Sequence, residues 1–204
     1  MSPAHVFEPT YQGLKERLKT GLWPMGMRLE TAKLADELGV SVTPVRDSLN
    51  RLVGERLVEL WPGEGYRVAR ISERLLRDLL VFNCDLLAKA LVSAPFNSTN
   101  AEWSEQADAY PDRVARLFAE AAAASGNAIM AEVVDALNDR LHPARCLDLE
   151  MIADCDTEIA AFEEMMCGNG DSAASIDWLN LYHDRRSELA SEYVHRLETG
   201  PNPT

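Results

Sequence analysis

The chain has 204 residues and a mass of 22.7 kDa, 47% hydrophobic and 26% charged, the balance of an ordinary globular protein with room for one or two domains. Its 20 Lys and Arg against 33 Asp and Glu give a formal net charge of −13, the wrong sign for a chain that grips nucleic acid along its whole length. The charge is unevenly divided: residues 1–72 carry 10 basic and 9 acidic side chains and residues 73–204 carry 10 and 24, so only the first segment can approach phosphate without strong repulsion.

The first expected element is a helix starting at Pro9-Thr10, with Tyr11, Leu14 and Leu18 at helical spacing and an end before Gly21. A turn through Pro24 and Gly26 leads to a second helix over about 30–38, with Leu34, Ala35 and Leu38 on one face. Gly39 stands where a left-handed C-terminal cap is wanted. Ser41 and Thr43 are both good N-caps, and Pro44 suits a first helical turn. The third helix carries a stripe of Val45, Leu49, Leu52 and Val53, with Val42, Arg46 and Asn50 four apart on its other face. Two short helices joined by a tight glycine turn, the second with a polar outer face, make a helix-turn-helix. Residues 57–60 then read as a strand, WPGEG as a turn and residues 66–70 as a returning strand. A hairpin in that place is the wing of a winged helix. The unit ends near Arg70, and Ser72 can cap the next helix.

Beyond residue 72 the sequence reads as helices alone. Leu75, Leu79, Phe82, Leu86 and Ala90 trace a long amphipathic helix ending near Pro95. Residues 96–111 are polar and irregular, with a short helix around Trp103. Further helices are expected at about 112–124, 128–141, 147–167 and 172–197, punctuated by Ser125-Gly126-Asn127, Pro143 and Gly168-Asn169-Gly170, with Asp171 as the last cap. The fold class is mostly α: a winged helix-turn-helix over 1–72 and an all-α helical bundle over 73–204. No apolar run nears the roughly 18 residues of a membrane-spanning helix, and the N-terminus has no continuous apolar segment of the kind a secretory signal carries. Cys84, Cys146, Cys155 and Cys167 form no CxxC pair, which argues against a zinc knuckle or disulfide framework and fits a reducing cytoplasm.

The stretch LADELGVSVTPVRDSLNRLVGERLVELWPGEGYRV resembles the winged-helix domain of the GntR family of transcriptional regulators. The resemblance covers about residues 11–70 and rests on Leu34-Ala35, Gly39-Val40-Ser41, Thr43-Pro44-Val45-Arg46, Leu49, Arg51-Leu52, Leu57-Val58, Gly65 and Val68. It implies a dimeric repressor or activator that reads a pseudo-palindromic double-stranded DNA operator, under control of a C-terminal domain that binds a small-molecule effector and dimerises. On this reading the recognition helix enters the major groove by its N-terminal end. Ser41 and Thr43 serve as caps, as phosphate contacts, or as both. Arg46 reaches a guanine edge bidentately or a phosphate as a point charge. Gly65 lets the wing backbone approach the minor groove, and Arg28, Arg51, Arg67 and Arg70 are further phosphate partners. The chain departs from the family where many members carry a second arginine (here Val42), a basic residue in the second helix (here Ala32) and a basic or amide wing residue (here Glu64). A thinned basic set implies weaker binding or an altered operator.

The helical part resembles the FadR C-terminal type within that family, on Leu117–Val134 around Ser125-Gly126-Asn127 and on Gly170-Asp171 followed by Ala173-Ala174. Members of that branch often hold a divalent metal through one Asp and three His, where an effector carboxylate also docks. Matching on Ser125-Gly126-Asn127 puts Val114 and Phe118, or Ala115 and Ala119, in the first two ligand places. The third falls near Asp156 or Glu158 and the fourth at Tyr182 or His183. One imidazole among carboxylates is a poor zinc site, so no metal and no other cofactor is expected. The effector candidates are Asn83, Phe118, Asp156 and His183. His5, His142 and His195 are expected to be satisfied or solvent-facing. The leading reading is a DNA-binding transcription regulator. A protein-interaction module with weakened DNA binding is the alternative, resting on Glu64, Val42 and the negative charge. An enzyme has little support, because no nucleophile–base pair, phosphate loop or metal-spaced motif is present.

Overall fold

The computed structural model describes residues 3–93, 109–167 and 172–200. The short helix expected around Trp103, the end near Pro95 and the Asp171 cap lie outside the described residues, as do the side chains of His5 and Cys167. Two units are present, Met1–Ser72 with Val194–Thr204, and Glu73–Tyr193.

In the first unit α1 (Pro3–Lys19), α2 (Thr31–Leu38) and α3 (Val42–Gly54) accompany an antiparallel sheet of β1 (Arg28–Leu29), β2 (Val58–Trp61) and β3 (Gly65–Val68), in the order β1-β3-β2. The helical stripes meet as their spacing requires. Tyr11, Leu14 and Leu18 of α1, Leu34 and Ala35 of α2, and Val45, Leu49 and Leu52 of α3 form one core with Leu29, Leu57, Val58 and Val68. Gly39 closes α2 in the left-handed conformation at φ 65° and frees the chain for the tight turn into α3.

Two expectations differ here. α1 starts at Pro3 and runs through Pro9, because the Thr10 hydroxyl turns back to donate to the Val6 carbonyl at 2.7 Å instead of marking a start. β1 is invisible to periodicity: it is two residues long, with Leu29 buried and Arg28 outward.

The second unit is helical throughout its described residues: α4 (Glu73–Ser93), α5 (Tyr110–Ala124), α6 (Ala128–Met151), α7 (Cys155–Cys167) and α8 (Ser172–Glu188), followed by α9 (Ala190–Thr199), which ends among the residues of the first unit. Together with the first unit's sheet this is the expected mostly α class. The α4 face is rotated from its expected position. Leu76, Leu79, Leu80, Leu87, Ala90 and Leu91 are buried, while Phe82 is 50% exposed.

α6 continues through Pro143 for two more turns, since the residues around the proline, His142, Ala144 and Arg145, are drawn into the interior. His142 is therefore a buried mid-helix residue, its Nε2 3.0 Å from Asp112 Oδ1. Asn127 caps this helix, accepting from the Met130 amide at 3.1 Å. The helix expected over 147–167 is broken where Ile152 turns extended and buries its side chain, and that expected over 172–197 is broken at Leu189. At the C-terminal end the grouping also departs from 73–204: residues 194–204 cluster with the first unit, where the Met25 amide donates to the Leu197 carbonyl at 2.9 Å. No described helix is long and apolar enough to cross a membrane.

Candidate nucleic-acid interface

α3 is anchored by one face and presents the other. Val45, Leu49 and Leu52 are completely buried, while Ser41, Thr43, Arg46 and Asn50 are exposed. Ser41 is the N-cap residue, with extended backbone, yet its side chain makes no capping hydrogen bond. Its hydroxyl is therefore free beside helix amides that have no intrahelical partner, the arrangement that receives an anionic oxygen. Arg46, one turn further on, has no hydrogen-bond or ion-pair partner among the described residues, and neither does Arg28 in β1.

Two other expected DNA contacts are engaged within the protein. The Arg51 guanidinium lies 3.7 Å from the Tyr11 ring centroid and bonds Glu8 and Glu55 at 3.3 and 3.2 Å. Tyr11 also donates to Glu55 at 2.7 Å, so Arg51 clamps α3 to α1. Arg67 donates to the Gly26 carbonyl at 3.1 Å and to Glu64 at 3.0 Å. That pair braces the wing and neutralises the charge that Glu64 would otherwise turn towards phosphate. Gly65 sits at φ 88°, where an added Cβ would meet nothing within 4 Å. Its requirement is the left-handed turn of the wing rather than steric room inside the protein.

Two features escaped the sequence reading. Tyr66 of β3 donates to Asn50 Oδ1 at 2.7 Å, fastening the wing to the recognition helix and occupying one of that helix's polar groups. Lys33, exposed on α2, has no partner among the described residues. Its place directly after Ala32, where many family members carry the cation, was the available signal. Val42 is half-buried against the core, so part of that position serves packing.

A helix-turn-helix with a free polar helix start and a three-stranded wing is now in view. Residues 8–68 match the family described as bacterial regulatory proteins, gntR family. These residues are a gntR-family domain. Over 92 residues the chain is 34% identical to the HTH-type transcriptional regulator McbR of Escherichia coli (strain K12), covering 45% of this chain and 42% of that protein. Over 93 residues it is 33% identical to the HTH-type transcriptional repressor GlaR of the same organism, covering 46% and 42%. The matched region thus spans less than half the length of these relatives. The structure of E. coli McbR shares the fold of the gntR-family domain and of the helices beyond it, with a TM-score of 0.71 at 23% identity over 92% of this chain and 97% of that one. A regulator structure from Rhodococcus sp. RHA1 shares it at 0.75 and 14%, over 93% and 98%.

In the helical unit the structure brings three of the four effector candidates together. Phe118 stacks on His183 with centroids 5.7 Å apart, and His183 Nε2 lies 3.0 Å from Asn83 Oδ1. Asp156 is exposed on α7, away from this group. Burial pushes His183 down to about 3, so the imidazole is neutral at pH 7. Its Nδ1 lies 2.7 Å from the Leu179 carbonyl and must carry the proton. Nε2 is then an acceptor, and the Asn83 amide turns its NH2 towards it, which also pairs the Asn83 nitrogen that is otherwise unsatisfied.

The donor set does not fit the metal of the FadR-type branch. The phenyl ring of Phe118 occupies one ligand place and both nitrogens of His183 are engaged, and among the described residues no three His, Cys, Asp or Glu side chains are placed around a common point. The centre holds an ionic network instead. Buried Asp148 accepts from Tyr110 at 2.9 Å, from Arg186 at 2.8 Å and from Tyr193, and Arg186 also reaches Glu158 at 2.8 Å. Burial opposes the Arg186 charge, but Tyr182, Asp148, Tyr110 and Glu158 around it hold its pKa above the usual guanidinium value.

Proposed function

We propose that the protein is a sequence-specific DNA-binding transcription regulator, a repressor working as a homodimer in the cytoplasm, whose helical unit responds to a small-molecule effector without a metal ion. The observation carrying this reading is the start of α3. Ser41, Thr43 and Arg46 are exposed and uncommitted on a helix whose opposite face is locked into the core. In the major groove, Arg46 meets a base edge or a phosphate while the Ser41 and Thr43 hydroxyls and the helix amides hold the backbone. Arg28 and Lys33 add electrostatic contact; Arg51 and Arg67 act indirectly by fixing α3 and the wing. Two copies are needed because one such set makes few contacts, and a pair of half-sites about one helical turn apart multiplies them. The relatives' names support regulation rather than catalysis.

The test is fluorescence anisotropy of the full chain on its own upstream DNA across a salt series, with sedimentation of the complex. Binding that weakens linearly in log salt, with two chains per site, is the expected result. No sequence preference over random DNA at any salt would favour the protein-interaction reading instead.

A further inference from the structure

Cys146, His142 and Asp112 form a hydrogen-bonded line where α5 packs on α6. Cys146 stands four residues after His142 on α6, and helical side chains lean towards the N-terminus, so its sulfur faces the imidazole. The Cys146 Sγ is 3.5 Å from His142 Nδ1, and His142 Nε2 is 3.0 Å from Asp112 Oδ1 in the first turn of α5. This order sets the tautomer. The Asp112 carboxylate accepts from Nε2–H, and Nδ1 turns its lone pair to the thiol. The His142 ring is 3% exposed and held in place, whereas Cys146 is only half-buried. The other cysteines whose side chains are described differ. Cys84 and Cys155 are buried, and burial pushes the Cys84 thiol up to about 11 and raises that of Cys155. Cys84 donates to Asn180 Oδ1 at 3.4 Å instead of facing a base. A nucleophile, a base and an orienting carboxylate thus stand in series at Cys146 alone among these three.

We propose that Cys146 is a redox modification site, a thiol activated by His142 and Asp112 that a small hydroperoxide oxidises to sulfenic acid. The thiol proton passes to His142 Nδ1, and Asp112 offsets the charge of the imidazolium so formed. The sulfur then attacks one peroxide oxygen and the O–O bond breaks. The departing hydroxide takes the proton back from Nδ1 and leaves as water. Sulfur loses two electrons and the peroxide gains them, so one thiol and one H2O2 give one sulfenic acid and one water. At pH 7 an ordinary thiol, with a pKa of about 8.5, is roughly 3% thiolate, so full conversion to the ion pair raises its rate by up to about 30-fold. A relay suits the geometry better than a metal cage, because the imidazole stands between the other two groups instead of converging with them on one point. The inference does not depend on DNA binding or on an effector.

The test exposes the reduced full chain to hydrogen peroxide at pH 7, traps sulfenic acid with dimedone, and measures labelling of each cysteine over time by peptide mass spectrometry. Cys146 should be labelled about tenfold faster than Cys84 and Cys155. His142→Gln, which removes the base, should slow Cys146 by about tenfold, and Asp112→Asn, which removes only the orienting charge, by about threefold. Cys84 and Cys155 serve as standards within the same molecule. A variant that merely loosens the fold speeds labelling at those buried sites, whereas loss of activation slows Cys146 and leaves them unchanged. Should the glutamine variant fail to fold, Asp112→Asn still decides, because the Asp112 side chain is 52% exposed. Labelling of Cys146 no faster than of the two buried cysteines overturns the site. So does fast labelling that neither variant slows, since exposure alone would then explain it.

Discussion

The start of α3 and the centre of the helical unit both gather polar groups, under opposite conditions. At α3 the groups are exposed and come from one short run of sequence, and the side chains of Ser41, Thr43 and Arg46 have no hydrogen-bond or ion-pair partner among the described residues. In the helical unit Asp148, Arg186, Tyr110, Tyr193 and Glu158 come from five helices, are largely buried, and are bonded to one another. The contrast separates two uses of charge. A surface that must meet a partner keeps its donors free in water, where their isolation costs little. A buried centre has to pair them, and any group left over stands out.

The largest expected effect tests the core half of that contrast. Arg186→Met leaves Asp148 and Glu158 buried without their shared cation, so the helical unit should lose about 3–5 kcal/mol in denaturant unfolding. A loss below about 1 kcal/mol would mean that water reaches these carboxylates and the network is not a core at all.

A second effect comes from His183. Its pKa is about 3 folded, against an ordinary value of 6.5, so between those values the unfolded chain binds more protons and stability must fall as the pH is lowered. The stability contributed by the neutral ring is fully present above pH 6.5 and amounts to about 2 kcal/mol lost by pH 5. His183→Gln keeps an amide at the site and cannot titrate. Its unfolding free energy, measured from pH 7 to pH 5, should decline less than that of the wild type by that amount. Parallel pH curves would show that His183 is already protonated or hydrated in the folded state.

The same contrast governs how far each region was legible in the sequence. The helix-turn-helix was read almost residue by residue, because its signals are local: Gly39 as a left-handed cap, Ser41 before Pro44, and the Val45–Leu49–Leu52 stripe. What failed there were pairings across elements. Arg51 and Arg67 look like free cations in sequence and are claimed by Glu8, Glu55, Glu64 and the Gly26 carbonyl. In the helical unit the local signals misled more often. Pro143 reads as a helix end, yet α6 passes through it because packing of Leu141, His142 and Arg145 outweighs the lost bond. Nothing in the sequence marks Asp148 and Tyr193 as partners 45 residues apart.

The exposed half can be sharpened by separating free from engaged arginines. Arg46→Ala should weaken operator binding by about 1–3 kcal/mol and relax preference at one base position. Arg51→Ala should cost stability, through the α1–α3 clamp, with little change in DNA affinity per folded molecule. Anisotropy on operator variants, paired with thermal unfolding, gives both numbers. The reverse pattern, with Arg51 controlling affinity and Arg46 silent, would put the groove contact at the wrong end of α3.

The smallest effect concerns the wing. Glu64 and Arg67 are 3.0 Å apart and partly exposed, so their pairing contributes at most about 1 kcal/mol to stability and can be broken without harm to the fold. In Glu64→Gln the negative charge disappears, and Arg67 keeps its bond to the Gly26 carbonyl while losing the carboxylate that neutralises it. The wing then gains one unit of positive charge next to Gly65, whose left-handed turn sets its shape. If the wing lies against DNA, affinity should rise modestly and the slope of log affinity against log salt should steepen by about one phosphate contact. If only α3 touches DNA, the affinity and the slope stay as they were. Arg67→Gln in the Glu64→Gln background supplies the control: it must return the slope to the wild-type value, because the cation responsible is then gone.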